Sequence, residues 1–167
     1  MLHKLALGLI FMILADSASI KDISMKNQFL VIKAKCKGSE QAKFEGKDLL
    51  LEISITNNQE VEIGFPLEYL QATGPIIRLI DARSRAETYL RTNLADLDLR
   101  EKFTPVQPGK SVVIEWVISS GELEQFGGPY VDVFAEITAK AEIKMSGKRF
   151  DFLGTDTLHI VGEPSGN

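Results

Sequence analysis

The feature that most constrains the fold is an alternation of apolar and polar residues with a period of two. Such a period is typical of β-strands, because successive side chains point to opposite faces of a sheet. The clearest run stops at Asn57 and has these apolar members: Leu49, Leu51, Ile53 and Ile55. The segment 49–56 is therefore predicted to be a strand with one buried face.

Turn residues between such runs predict two hairpins. Val61, Ile63 and Phe65 follow the Asn-Asn turn, and Pro66 ends the run because proline has no N–H to donate to a sheet. We expect this run to pair with 49–56. The second predicted hairpin joins 76–80 to 88–90 through a turn at 81–84.

The second half of the chain continues the pattern. Strands are predicted at 112–118, along 130–145, at 150–152 and at 157–161. Trp116 alternates with apolar residues and is expected in the core. One helical turn is predicted within 94–102, where leucines stand among acidic residues and are expected to be half-buried.

These strands and spacings predict an all-β chain, an immunoglobulin-like antiparallel β-sandwich of about 7–9 strands. The length allows one domain with a sizeable core, which we place at residues 19–161. Residues 162–167 are expected to form a disordered tail.

The N-terminus is typical of a secretory signal peptide at residues 1–18. A positive start at Lys4 precedes an apolar run at 5–14 and small residues at 15–19. The run is about half the ~20 residues that span a bilayer, so we expect no transmembrane segment in the mature chain and a periplasmic or secreted location. An N-terminal strand or uncleaved anchor is the alternative.

Charge and cysteine content narrow the partners. The net charge of −4 argues against sequence-independent nucleic-acid binding, which needs a basic surface. Cys36 is the only cysteine, so no internal disulfide forms. We expect Cys36 to be buried on a strand, and pairing with another chain is the alternative.

The mature chain offers little for catalysis. Its one histidine, His159, lies between Leu158 and Ile160 on the last predicted strand and is expected to face solvent. One Cys and one His cannot supply a structural zinc site. No catalytic residue, metal site or cofactor is predicted, although calcium binding by the loop with Asp96, Asp98 and Glu101 is an alternative.

Two segments are candidate contact sites. Four of the six arginines fall within 14 residues around the second hairpin: Arg78, Arg83, Arg85 and Arg91. Their guanidinium groups suit a carboxylate or phosphate partner, and protection of an edge hairpin from aggregation is the alternative. The loop 121–130 carries Phe126 and Tyr130 beside glycines, where it either binds a partner or covers the end of the core.

A family resemblance adds to this interpretation. The residues 103–112, then Trp116, then 128–133 resemble the "L-x-P-G-x-S, aromatic, G-x-Y-x-V" rhythm of bacterial immunoglobulin-like domains, among them the BsuPI-type proteinase inhibitors. The strand ending Ile53-Ser54-Ile55-Thr56-Asn57 is similar to their "V-x-V-x-N" strand. The resemblance covers roughly residues 48–137 and implies the fold, but no inhibitory residue can be matched.

The sequence thus predicts an exported, non-catalytic binding module that contacts another envelope or extracellular protein, with inhibitors among the candidates. One alternative is a carbohydrate or cell-wall binding domain. Another is a structural or assembly accessory protein of the envelope. A third, a hydrolase that uses carboxylates alone, stays open to a direct assay of cell-wall sugars.

Overall fold

The computed structural model describes residues 29–38 and 41–162, and this part of the chain is mostly β. Its ten strands are β1 (Leu30–Cys36), β2 (Ala42–Phe44), β3 (Leu49–Asn57), β4 (Ile63–Phe65), β5 (Ile76–Asp81), β6 (Glu87–Tyr89), β7 (Thr104–Val106), β8 (Ser111–Ile118), β9 (Asp132–Met145) and β10 (Lys148–Gly162). Two short helices, α1 (Leu67–Thr73) and α2 (Ser120–Glu124), and two 3₁₀ turns, Leu97–Glu101 and Gly128–Tyr130, lie between them.

Three predictions lie wholly or partly outside the described residues. They are the signal peptide at 1–18, the first ten residues of the domain at 19–28, and the tail at 162–167, of which only Gly162 is described. Gly162, the first residue of the predicted tail, is the last residue of β10.

The strands form two open sheets. The first has the order β1-β3-β8 and is antiparallel. The second has the order β2-β10-β9-β4-β7, with β5 also paired to β9 and β6 paired to β5. β2 runs parallel to β10, so this sheet is mixed, whereas a purely antiparallel arrangement was expected.

Both sheets contribute to one hydrophobic core. In β3 the alternate residues Leu51, Ile53 and Ile55 are fully buried, as the period of two predicts. They belong to the same cluster as Ile137 of β9 and Phe152 of β10. Burial of each such side chain is worth about 1.5–3 kcal/mol relative to exposure.

The first predicted hairpin is wrong and the second is confirmed. β3 and β4 lie in different sheets, because the chain crosses over after Asn57 instead of turning back. The fully buried Asn57 holds this crossing, since its Nδ2 donates to the carbonyls of Val61 and Val106, each at 2.8 Å. β5 and β6 do form a hairpin, with Arg78 opposite Tyr89.

The later strands follow the predicted alternation. β9 is one uninterrupted strand, and its Val133, Ala135 and Ile137 are buried on one face. β10 is also continuous, although the sequence suggested two separate strands. Ile114 and Ile118 of β8 are buried and Trp116 is partly buried against the core.

Helical structure differs from the prediction. Only a 3₁₀ turn, Leu97–Glu101, forms within 94–102, and Leu94 and Leu97 are exposed where half-buried leucines were expected. α1 and α2 were not predicted, and each buries one leucine, Leu70 and Leu123. None of the helices in residues 29–38 and 41–162 has the length and apolar character that crossing a membrane requires.

Candidate functional site

The four arginines predicted as one patch are not brought together. Arg78 lies within the second sheet, where its Nη1 is 3.0 Å from Glu87 and its Nη2 is 2.9 Å from Glu136. The hydrogen bond to Glu136 is the main cause of its raised pKa. The guanidinium of Arg78 is thus engaged by two carboxylates of its own sheet, apart from the hairpin tip.

Arg83 and Arg85 lie at the far end of the same hairpin. The carboxylate of Asp81 organises this turn, since it accepts hydrogen bonds from the backbone N–H groups of Arg83 and Ser84 and from the Ser84 hydroxyl. These bonds, led by the Ser84 N–H, lower the pKa of Asp81. Arg85 adopts a left-handed backbone (φ 62°), which the turn requires.

The hairpin tip meets the segment that leads into β9. The Ala82 N–H donates to the Asp132 carbonyl at 2.9 Å, and the Asp132 carboxylate lies 3.9 Å from Nε of Arg83. Tyr130, two residues before Asp132, is 65% exposed. Arg83, Arg85 and Tyr130 therefore share one end of the second sheet.

His159 belongs to this end, and the expectation that it simply faces solvent is incomplete. Its Nε2 lies 2.7 Å from Oδ1 of Asp132, and its ring stacks on Phe134 with centroids 4.6 Å apart. The imidazole is half-exposed and oriented by both neighbours. We call Arg83, Arg85, Tyr130, Asp132 and His159 the tip surface.

Phe126 and Arg91 do not belong to the tip surface. Phe126 is half-buried against the core, so its part of the loop 121–130 covers the core. Arg91 follows β6 at the opposite end of the hairpin and lines a groove with Trp116. Of the six predicted contact residues, Arg83, Arg85 and Tyr130 come together and the other three do not.

Two of the three carboxylates of the acidic loop, those of Asp96 and Glu101, have partners within the protein. Asp96 caps the 3₁₀ turn by accepting from the Asp98 N–H at 2.9 Å. Glu101 forms two bonds with Arg149, at 3.0 and 2.6 Å, which lower the pKa of Glu101. Within the described ranges, no three His, Cys, Asp or Glu side chains are grouped as metal ligands are.

Cys36 is buried at the end of β1, as predicted. It is 7% exposed, and burial raises the pKa of its thiol. A raised pKa lowers the thiolate fraction, which is the reactive form.

Sequence reasoning missed a polar cleft of about 660 Å³ between α1, the Leu97–Glu101 turn and the outer face of β9 and β10. Tyr69 stands in its wall, with the Arg100 guanidinium 4.7 Å from its ring centroid and 2.6 Å from its hydroxyl. The lining also has hydroxyl, amide and charged side chains, among them Thr73, Asn93, Thr138, Lys140 and Asp151, together with apolar ones such as Leu70 and Ile76. These residues come from five separate segments, so no local sequence pattern marks them.

Comparison with known proteins gives no family. No protein-family model matches the chain, and no curated protein matches it. Two solved structures align at low similarity. An X-ray structure of the Northeast Structural Genomics Consortium target SoR45 is 11% identical with a TM-score of 0.42, covering 81% of this chain and 88% of that one. A crystal structure of a protein from Archaeoglobus fulgidus is 10% identical with a TM-score of 0.36, covering 80% and 97%.

Proposed function

We propose that this chain is an exported, non-catalytic binding module of immunoglobulin-like type that contacts another protein of the cell envelope through the tip surface. The observation that carries the proposal is the joining of the hairpin tip to the Tyr130 segment at Asp132. Export to the periplasm or the medium rests on the signal-peptide pattern. The immunoglobulin-like assignment rests on two sheets that share one core.

The chemistry of the tip surface suits protein recognition. Tyrosine and arginine are enriched among the few residues that carry most of the binding energy at protein interfaces. Arg83 has an 84% exposed side chain and only a distant carboxylate partner. Its guanidinium is thus available to a carboxylate-bearing partner.

The positions of the candidate nucleophile, Cys36, and the candidate base, His159, support binding rather than catalysis. Cys36 is buried with a raised pKa, and its strand lies in the first sheet. His159 is engaged by Asp132 in the second sheet. A nucleophilic mechanism needs nucleophile and base within hydrogen-bond reach of each other, and no hydrogen bond joins Cys36 to His159, whose Nε2 lies 2.7 Å from Asp132.

The test reverses the charge of the tip surface. The chain is produced from its full sequence in an exporting host and used as bait in native envelope extract. Arg83→Glu with Arg85→Glu should lose a specific partner, because the two introduced glutamates repel the partner's carboxylates. The partner is identified by mass spectrometry, and the melting temperature should stay nearly unchanged.

The matched control is Lys110→Glu with Lys148→Glu. Both lysines are exposed. Lys148 lies at the end of β9 and β10 that is farther from Asp132, and Lys110 directly precedes β8. This pair changes the net charge equally, so it should retain the partner. Equal retention of the partner by both double variants would refute a role for the tip surface.

Carbohydrate binding is the second candidate, and the cleft favours it. Hydroxyl, amide and charged side chains around Tyr69 match the many hydroxyl groups of a glycan. Trp116 does not serve there, since it lies in a different groove. A polysaccharide array probed with the chain and with Tyr69→Ala tests it, because glycan binding in the cleft should disappear with the ring.

A further inference from the structure

β8 is an edge strand whose outer hydrogen-bonding groups can be assigned. It pairs with β3 alone within the described residues. The Asn57 N–H donates to the Lys110 carbonyl, so the bonded pairs of this antiparallel ladder continue at every second residue from 110. The N–H and C=O groups of Val113, Glu115 and Val117 therefore point away from β3.

Two other groups on the edges of the first sheet have side-chain partners. On the β1 edge, the Ala34 N–H donates to the Asp156 carboxylate of β10 at 2.8 Å. On the β8 edge, Nε2 of Gln71 in α1 lies 3.5 Å from the Val113 carbonyl. The outward groups of Glu115 and Val117 have no backbone or side-chain partner in the described part of the chain. An open edge of this kind is a template for another strand.

A groove of about 420 Å³ lies beside this open stretch. Its apolar lining consists of Trp116, Leu90, Leu50 and Val117. The Trp116 ring packs on Gly74, so closely that a Cβ there would lie 2.3 Å from the ring. The groove therefore places apolar side chains, with Trp116 held in position, next to unpaired backbone groups.

The charges around the groove leave one cation unpaired. Glu115 is held by Lys37 in an ion pair of 2.5 Å, and Glu122 accepts from the N–H and hydroxyl of Ser119 in the cap of α2. Arg91 is exposed and forms no ion pair within the described residues. Arg91 is thus the cation of the groove lining that can pair with a partner's carboxylate.

We propose that the groove binds an extended acidic segment of a partner protein, which adds as a strand to β8 at Glu115 and Val117. An apolar side chain of the segment rests on Trp116, and a carboxylate pairs with Arg91. In such strand addition the backbone bonds supply affinity and pockets for alternate side chains supply specificity. The proposal rests on the protein-binding role above, but on a different surface.

The experiment uses the heptapeptide TVTLTDT, whose Val, Leu and Asp side chains share one face when the chain is extended. The protein is again produced from its full sequence in an exporting host. Trp116 is the only tryptophan, so its fluorescence reports the groove directly. Titration should shift its emission to shorter wavelength and saturate.

Val117→Pro tests the backbone bonds. Proline removes the outward N–H of Val117 without removing a bond to β3, and proline is tolerated on edge strands for this reason. Loss of one such bond and obstruction of the edge should weaken peptide binding about tenfold. Val113→Pro makes the same change on the same edge outside the groove, and it should retain binding.

Arg91→Glu tests the charge without altering the strand. It should weaken the binding of TVTLTDT about two- to fivefold, because an exposed ion pair contributes modestly to affinity. It should also remove the preference for TVTLTDT over TVTLTNT. Lys148→Glu is the control, since it reverses an exposed cation at the start of β10, outside both the groove and the tip surface.

Three outcomes would overturn the proposal. They are an unchanged Trp116 emission with the peptide, equal binding by Val117→Pro and Val113→Pro, and an emission shift that depends on protein concentration alone. The last would make a second copy of the chain the occupant. None of these variants alters Arg83 or Tyr130, so failure here is distinguishable from failure of the tip surface.

Discussion

At the residue scale, one buried amide connects the two sheets. The Asn57 side chain donates to the carbonyls of Val61 and Val106 and accepts from the Gln59 N–H, each at 2.8 Å. A buried polar group without such partners costs about 1–3 kcal/mol. Asn57 therefore fixes the point at which the chain leaves β3 and enters the other sheet.

Gly74 is the residue at which a side chain is least tolerable. Its backbone (φ 80°, ψ 166°) lies in a region that is essentially restricted to glycine, and a Cβ would lie 2.3 Å from the Trp116 ring. Gly74→Ala should lower the free energy of unfolding by about 3 kcal/mol, because strain and overpacking each cost about 1–3 kcal/mol. Urea denaturation measures the loss, and Trp116 emission should shift as its ring is displaced.

Gly109→Ala separates the two causes. Gly109 also has a positive φ (69°), but a Cβ there meets nothing within 4 Å. Its substitution should cost only about 1–2 kcal/mol of backbone strain. Equal losses at the two positions would show that contact with Trp116 does not restrict Gly74.

The arginine prediction shows what residue spacing can and cannot indicate. Arg83 and Arg85 were correctly placed at a turn, because the hairpin itself was readable from its apolar strands. The partners of Arg78 could not be predicted, since Glu136 is 58 residues away and only the pairing of β5 with β9 brings the two side chains together. Side-chain availability depends on this long-range register.

At the element scale, the two edges of the first sheet are protected to different degrees. Gly154 of β10 approaches Ile32 of β1 so closely that a Cβ would lie 3.1 Å from its side chain, and Asp156 occupies the Ala34 N–H. The second sheet thus closes the β1 edge, whereas part of the β8 edge stays open. Blocking of edges by charged side chains protects proteins from unwanted strand pairing.

Asp156→Ala should uncover the β1 edge. We expect the free energy of unfolding to fall by about 1–2 kcal/mol, because a charge-assisted hydrogen bond to a partly buried N–H is lost. Self-association should rise as well, because Ala34 regains an unpaired donor. Urea denaturation and light scattering at increasing concentration measure the two effects.

Asp151→Ala is the control for this change. Asp151 lies on β10 in the outer row of side chains, exposed to solvent, and its substitution removes the same charge. It should change neither the free energy of unfolding nor the self-association appreciably. Asp156 would have no role in edge protection if both variants associated equally.

Element boundaries were predicted better than element partners. The runs at 49–56 and 76–80 correspond to β3 and β5, since period two reports burial on one face. The same pattern says nothing about which sheet a strand joins, and this is why β3 and β4 were wrongly paired. α1 carried a readable signal in Pro66 before it and Gly74 after it, which is the common asymmetry of helix ends.

At the scale of the whole molecule, the candidate sites depend on contacts between distant segments. The tip surface joins the β5–β6 turn to residues 130–132 and to β10. The groove joins β8 to the segment after β6, and the cleft joins α1 to β9 and β10. The class of fold was readable from local alternation, but none of these three surfaces could be located before the packing of these distant segments was known.

The shared core leads to a prediction about unfolding. Ile53 and Ile114 of the first sheet lie in the same buried cluster as Ile77, Ile137 and Phe152 of the second. Neither sheet has a separate core in the described residues, so separating them would expose both inner faces to water. We therefore expect one cooperative transition, as is usual for a domain of this size.

Two probes with different locations test this cooperativity. Trp116 emission reports the three-stranded sheet, whereas far-UV circular dichroism is dominated by the seven-stranded sheet with its long β9 and β10. The two urea transitions should coincide in midpoint and slope. A Trp116 transition at lower urea would mean that β1, β3 and β8 detach first and that the core is divided. The open β8 edge would then be a consequence of weak docking of that sheet, and the same measurement with saturating TVTLTDT would show whether strand addition restores the single transition.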